Sequence, residues 1–411
     1  MEFNSYTLII GASVVLVISY FFSLISSKTR IPSVLMLIIL GMLLREGLHL
    51  AGYNKINWMP VLEVLGIVGL ILIVLEASID LKLTRKKTRL ILISFTIALI
   101  SFVVNTILIA FIVQAFIPHI EYIISLVYAM PFSIISSAIV LPSVAHLTED
   151  KREFLIYEST FSDILGIMAF YLLVENVGET NSAMIGMEVT GNIIVTVIIS
   201  LVVAYALLIG LQKIKKNIKL TLLIAILLLL YSVGKMFHIS SLLIILMFGL
   251  ALANPQIFFR RFFKKHYNPE RCSTILNDFK FLTVETAFVV RTFFFVIFGA
   301  SLAVTSLFHS QVIVLSLISL IVIYGSRWIQ FYFVDKKDMY PQVFLAPRGL
   351  ISVLLFFAIP KELTLPDFEA GILLFIILFS NIIMALSLVR GEKSNKTSEL
   401  AGHSGTNHEN G

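Results

Sequence analysis

The chain repeatedly runs for about 20 residues with no charge, the length a helix needs to cross a hydrocarbon core. "LIIGASVVLVISYFFSLI" (Leu8 to Ile25) and "ILISFTIALISFVVNTILIAFIV" (Ile91 to Val113) are two such runs. Divided at its charged and Pro/Gly-rich interruptions, the sequence gives thirteen segments: approximately 6–26, 31–45, 60–80, 90–117, 121–146, 153–175, 186–211, 219–234, 239–254, 281–307, 310–330, 341–359 and 368–389. Composition agrees, with 58% hydrophobic and 14% charged residues, against about 25% charged in an average soluble domain. A spanning backbone must satisfy its own hydrogen bonds, and the segments lack the alternation of a barrel, so they are read as helices. The first has no basic flank and no small-residue cleavage site, and is read as a span rather than a signal peptide. The fold class expected is an all-α integral membrane protein.

Arginine and lysine set the orientation, because cytoplasmic loops retain them. With the N-terminus outside, alternate loops ("SSKTR", "KLTRKKTR", "EDKRE", "QKIKKNIK", "RRFFKKHYNPER" onward, "RW" to "DKK", and the tail) hold 25 of the 31 basic residues. The opposite loops hold Arg45, Lys55, Lys235 and Lys361, and Arg291 and Arg348 fall inside spans. This places the protein in the cell membrane with its C-terminus cytoplasmic. The net charge of +6 therefore reports topology, not nucleic-acid binding. Cys272 is the single cysteine, the eight histidines have no zinc spacing, and no Walker loop or nucleotide fingerprint is present, so no cofactor is expected. Residues 1–390 read as the transmembrane domain and the polar stretch 391–411 as a disordered cytoplasmic tail.

Many transporters contain two repeats of opposite membrane orientation. "IPSVLMLIILGMLL" (Ile31 to Leu44) aligns with "ISSLLIILMFGLAL" (Ile239 to Leu252) at five of fourteen positions, Gly41 with Gly249 among them. These are the second and ninth spans, and a shift of seven helices reverses direction, as an inverted repeat requires. Ala77-Ser78 then faces Ala300-Ser301, and the halves are about 1–176 and 219–390. Corresponding helices of such repeats are broken near the midplane. The fifth span carries "PFSIISSAIVLPS" with Pro131 and Pro142, and its partner, the twelfth, carries "APRGL" with Pro347 and Gly349. Two broken helices crossing at the midplane are therefore expected.

"YESTFSDILGI" (Tyr157 to Ile167) places Glu158 and Asp163 inside the sixth span. A charge near the centre of a spanning helix costs about 2.5–3.5 kcal/mol on insertion scales, and usually faces a pathway or an ion partner. At about 100° per residue the two acids point some 140° apart, whereas Ser159 lies one turn from Asp163 on its face. The natural division is an ion-binding acid and a structural one. If Glu158 pairs with Arg348, Asp163 is left to titrate. Its oxygen can hold a proton or a cation but not both, and that competition is the chemistry of exchange.

At these residues the sequence resembles the cation:proton antiporter superfamily, in particular its monovalent Na⁺/H⁺ exchangers of the NhaP-like branch, over nearly the whole chain. Their sixth-helix Glu-Ser-x-x-Asn-Asp is matched by Glu158, Ser159, Ser162 and Asp163, and their third-helix acid by Glu76 in "VLEASIDL". "VVRTFFFVIFGASL" resembles their tenth helix, with Arg291, and "APRGLISVLL" their Pro-Arg-Gly motif. The resemblance implies an NhaA/NhaP-like fold, with Asp163 as ion and proton carrier and Ser159 completing its oxygen ligands. It implies Glu76 as a contributor or gate, Glu158 as ion-pair partner of Arg348, and Arg291 as positive charge near the crossing helices. A homodimer is implied as well.

Two departures stand out. The family's Asn-Asp is Ser162-Asp163 here, and without a second adjacent acid, one-for-one electroneutral exchange is expected. Its Thr-Asp-Pro has become Ser136, Ser137 and Ala138, leaving hydroxyls and carbonyls to ligate a cation. Na⁺ is the first candidate, with K⁺ or Li⁺ as alternatives, and a cation channel is the rival from another class. Intramembrane proteases are disfavoured: Asp163 is the only aspartate well inside a span, and no Gly-x-Ser-Gly motif with a membrane histidine occurs within the spans. An enzyme is not expected. Glu63, Asp80 and Glu285 read as interfacial.

Overall fold

A computed structural model describes residues 5–29, 31–52, 58–175, 177, 198–207, 209–210, 225, 227–229, 231–232, 241–258, 269–302, 304–334, 339–366 and 368–405. Among these no strand occurs, and nine helices, one of them broken, are long and apolar enough to cross a membrane. The protein is a multi-pass membrane protein. Its main helices are α1 (Ser5–Thr29), α2 (Ser33–Leu50), α3 (Met59–Asp80), α4 (Thr88–Phe116), α5 (Tyr122–Ser133), α6 (Ser137–Ser143) and α7 (Glu149–Glu175). They continue as α8 (Ser241–Ala253), α9 (Pro269–Ser301), α10 (Ser310–Val334), α11 (Leu350–Phe357) and α12 (Gly371–Gly405). Of the seventh span only 198–207 and 209–210, and of the eighth only 225, 227–229 and 231–232, are among the described residues.

Several boundaries differ from the sequence reading. α10 runs to Val334, past the expected end at 330, because the apolar "FYFV" continues the run beyond Gln330. α12 continues to Gly405, into the stretch read as disordered tail; Glu, Lys, Leu and Ala there favour helix, and no proline stops it. The twelfth span is α-helical only over Leu350–Phe357, with a 3₁₀ turn at Gln342–Phe344, and the break in the fifth falls at 134–136, between the two prolines rather than at either.

Packing divides the helices into two groups. α2, α3, α8 and α9 lie against one another with α1 on α2 and α9, while α4, α5, α7, α10 and α12 form the second group with α11 on α5 and α7. α3 meets the second group at α7 and α11. Within the first group two contacts correspond under the repeat read from sequence. At the α2–α9 contact a Cβ on Gly41 would lie 2.0 Å from the Val296 carbonyl, and one on Gly249 in α8 would lie 1.8 Å from Ser78 Oγ in α3. Close approach of backbones through small residues is how helices pack where lipid offers no hydrophobic contrast.

Gly299 closes the α2–α9 contact from the other side, since its Cβ would lie 2.2 Å from the Ile38 carbonyl. Backbone cannot yield as a side-chain tip does. Gly41→Ala and Gly299→Ala are each expected to destabilise the protein by about 1–3 kcal/mol, read as a lower Tm in detergent by circular dichroism. An unchanged Tm in both would show that the two helices are not held this closely.

Candidate functional site

The second helix group contains the crossing. α5 ends at Ser133, 134–136 is extended, and α6 starts at Ser137; opposite it, the chain is extended from Leu345 to Gly349 before α11. The two extended stretches touch directly, the Ser136 N–H donating to the Pro347 carbonyl at 3.0 Å. Glycine at 349 permits this approach, because a Cβ there would lie 2.5 Å from Ser136 Oγ and 2.6 Å from Ile139 Cδ1.

Breaking two helices in an apolar interior strands backbone groups that must find partners. α7 supplies them on one side: Ser162 Oγ accepts from the Ile135 N–H at 2.9 Å, and Asp163 Oδ2 accepts from the Ser137 N–H at 3.0 Å. Arg348 serves the opposite polarity, its Nε donating to the Phe132 carbonyl near the end of α5 at 2.6 Å and its Nη1 to the Ala346 carbonyl at 3.3 Å. A cation at a helix C-terminus is favourably placed. α12 holds the Arg348 backbone from behind, Ser380 Oγ accepting its N–H at 3.0 Å and Asn381 Nδ2 donating to its carbonyl at 2.9 Å.

Three buried oxygens of this region have no hydrogen-bond partner: Asp163 Oδ1, Ser136 Oγ and Asn381 Oδ1. Asp163 is 2% exposed. An unpartnered carboxylate oxygen in such surroundings is expensive unless a proton or a cation occupies it. Ser159, also buried, donates its hydroxyl to the Leu155 carbonyl at 2.8 Å, which leaves its oxygen lone pairs free.

Glu158 does not pair with Arg348. Its carboxylate is gripped at both oxygens by the Arg327 guanidinium of α10, with Arg327 Nη2 to Glu158 Oε2 at 2.9 Å and a shorter bond between Nη1 and Oε1. Arg327 also donates to the Gln342 and Leu345 carbonyls at 3.1 Å and 3.3 Å from Nη2, and stacks its guanidinium 4.9 Å from the Phe331 ring centre. The expectation failed because Arg327 had been assigned to a loop, which left Arg348 as the cation available. Arg348 instead spends its donors on carbonyls released by the breaks.

Glu76 and Arg291 pair with each other, Arg291 Nη2 to Glu76 Oε1 at 3.3 Å, between α3 and α9. Lys280 reaches Asp80 at 2.6 Å on the same pair of helices. The structure brings together Ser136, Ser137, Ser162, Asp163 and Arg348 at the crossing, whereas among the described residues Glu76 and Arg291 bond to each other between α3 and α9 and not to the crossing. Arg327, Ser380 and Asn381 are additions. Their signals were present: an arginine followed by "WIQFYFV", and a Ser-Asn pair amid "LLFIILFSNIIMAL".

A family model described as sodium/hydrogen exchanger, transmembrane, matches residues 13–390. The chain belongs to that family. Its fold is that of the sodium proton antiporter MjNhaP1 from Methanocaldococcus jannaschii: the structure at pH 8 superposes with a TM-score of 0.66 at 18% identity, over 94% of this chain and 99% of that one. An electron-microscopy structure of MjNhaP1 gives a TM-score of 0.64 at 18% identity, over 97% and 99%. No curated protein matches the chain in sequence. The all-helical architecture thus agrees with the NhaP-like expectation. Among the described residues no cluster of three or more His, Cys, Asp or Glu could hold a metal ion, and the cation relevant to this family is a substrate.

Proposed function

We propose that the protein exchanges a monovalent cation, Na⁺ in the first place, for H⁺ at Asp163. The observation that carries this reading is the buried, unpartnered Asp163 Oδ1 beside the crossing, with the unpartnered Ser136 Oγ on the broken helix it supports. Asp163 holds a proton when no cation is present and releases it when one binds. Ser136, Ser159 and backbone carbonyls of the breaks complete the oxygen ligands, Ser137 orients the carboxylate through its N–H, and Ser162 fixes the break. Glu76, tied to Arg291, guards the approach along α3.

Among the described residues Asp163 is the one carboxylate that bonds to the crossing, so one proton leaves per cation and exchange is electroneutral. Alternating access follows from the two groups: the second, carrying the breaks and Asp163, moves against the first. α1 leaves much of its apolar surface uncovered, with Ile9 and Ile10 exposed, which supports a homodimer formed through the first group. The N-terminus lies outside and the C-terminus in the cytoplasm.

Reconstitution in liposomes with an internal pH dye tests the reading. External Na⁺, K⁺ or Li⁺ is expected to collapse a proton gradient, Na⁺ most effectively, at a rate insensitive to a membrane-potential clamp. Cation passage without proton movement would overturn exchange in favour of a channel. Ser136→Ala is expected to raise the half-saturating cation concentration about tenfold, since a lost polar partner is worth ~1.5 kcal/mol, and to leave the maximal rate near that of wild type. An unchanged half-saturation would remove Ser136 from the ligand set.

A further inference from the structure

An apolar crevice of about 510 Å³ opens between α4 and α10, walled by Ile100, Val104 and Leu108 on one side and Gly325, Ile329 and Phe333 on the other. The helices run antiparallel, as two cross-links require: Ser101 Oγ donates to Gln330 Oε1 at 2.6 Å, and four residues on, Ser326 Oγ donates to Asn105 Oδ1 at 2.7 Å. At 1.5 Å per residue the α4 wall from Thr96 to Leu108 is about 18 Å long. Gly325 keeps the crevice open, with no atom within 4 Å of where its Cβ would be.

The two ends of the crevice differ in charge. Arg89 lies seven residues before Thr96, two turns along the same face of α4, and it is exposed, as is Lys86 in the preceding turn. Phe333, 80% exposed, and the paired rings of Trp328 and Tyr332, 5.7 Å apart, lie towards this end of α10, and aromatic residues of that kind favour the headgroup level. The far end of α4, "IVQAF", has no basic residue. A ligand fitting this site is apolar for most of its length and negatively charged at one end.

We infer that the crevice holds an anionic phospholipid of the bilayer, its acyl chain between α4 and α10 and its phosphate on Arg89 and Lys86. The site has a route to the ion pair. Ser326 lines the crevice, and the next residue, Arg327, grips Glu158; a seated chain braces α10 at the turn that carries this guanidinium.

The test is lipid retention by detergent-purified protein, read by native mass spectrometry after exposure to mixed phosphatidylglycerol and phosphatidylcholine vesicles. Because it reads binding, it stands apart from whether exchange is observed. Wild type is expected to keep phosphatidylglycerol in preference. Arg89→Gln should reduce that preference about fivefold, the equivalent of ~1 kcal/mol for one basic residue at the surface. Gly325→Trp should release the lipid, whereas Gly11→Trp, at an equally open position on α1, should not. Equal retention of the two lipids, or retention unaffected by Gly325→Trp, would overturn the proposal. Loss of a dimer in Gly325→Trp with lipid still bound would also overturn it, and would assign the crevice to a second copy of the chain.

Discussion

Asp163→Asn is expected to reduce cation-driven proton flux to that of protein-free liposomes while the protein stays folded. The amide keeps the size of the carboxyl and an oxygen that accepts the Ser137 N–H, now 3.0 Å from Asp163 Oδ2, so the α6 end of the break retains its support. What is lost is the charge. An asparagine neither releases a proton nor neutralises a cation taken from water, and the remaining hydroxyls and carbonyls offer only dipoles. Since Asp163 is buried and Oδ1 has no other partner, no neighbour takes over the exchange. Unaltered thermal unfolding alongside the lost flux would separate a chemical defect from a folding one. Residual coupled flux near the wild-type rate would move the carrier elsewhere.

The largest effect on stability is expected at Glu158 and Arg327. Both are buried, and each is the charge partner of the other. Removing one member strands the other without a counter-charge, which typically destabilises by about 3–5 kcal/mol. Glu158→Leu and Arg327→Met should therefore each lower Tm substantially. The double variant should recover most of the loss, because apolar pairs of similar volume often replace buried ion pairs at little cost. The recovery will be incomplete, since Arg327 also satisfies the Gln342 and Leu345 carbonyls that lead into the second break. Single variants as stable as wild type would show that the pair does not hold α7 to α10.

What was legible in the sequence, and what was not, follows from which signals are local. Span length and hydropathy are local, so the all-helical membrane fold emerged directly. Two broken helices were also legible, because prolines and serines cluster in "PFSIISSAIVLPS" and "APRGL". The position of the first break was not: Pro131 and Pro142 both sit inside helices, and the chain opens at 134–136, where the side chains of α7 are available to bond it. Partners across helices are the least local information. That Glu158 and Asp163 face different ways follows from helix geometry; which arginine meets Glu158 depends on how α7, α10 and the second break pack. Arg327 was counted with the loop charges of "RW" to "DKK" although it falls within the segment 310–330, and the pairing error followed from that. Glu76 and Arg291 were each singled out in isolation, yet only the contact of α3 with α9 makes them a pair.

The central claim is that one carboxyl holds a proton or a cation in turn. The most direct measurement is calorimetric titration of Na⁺ into purified protein in buffers of different ionisation enthalpy, which counts the protons released as the cation binds. Release of about one proton per cation by wild type, with neither binding nor release in Asp163→Asn, is the predicted result. Na⁺ binding with no proton released at any pH where the protein is folded would contradict the account.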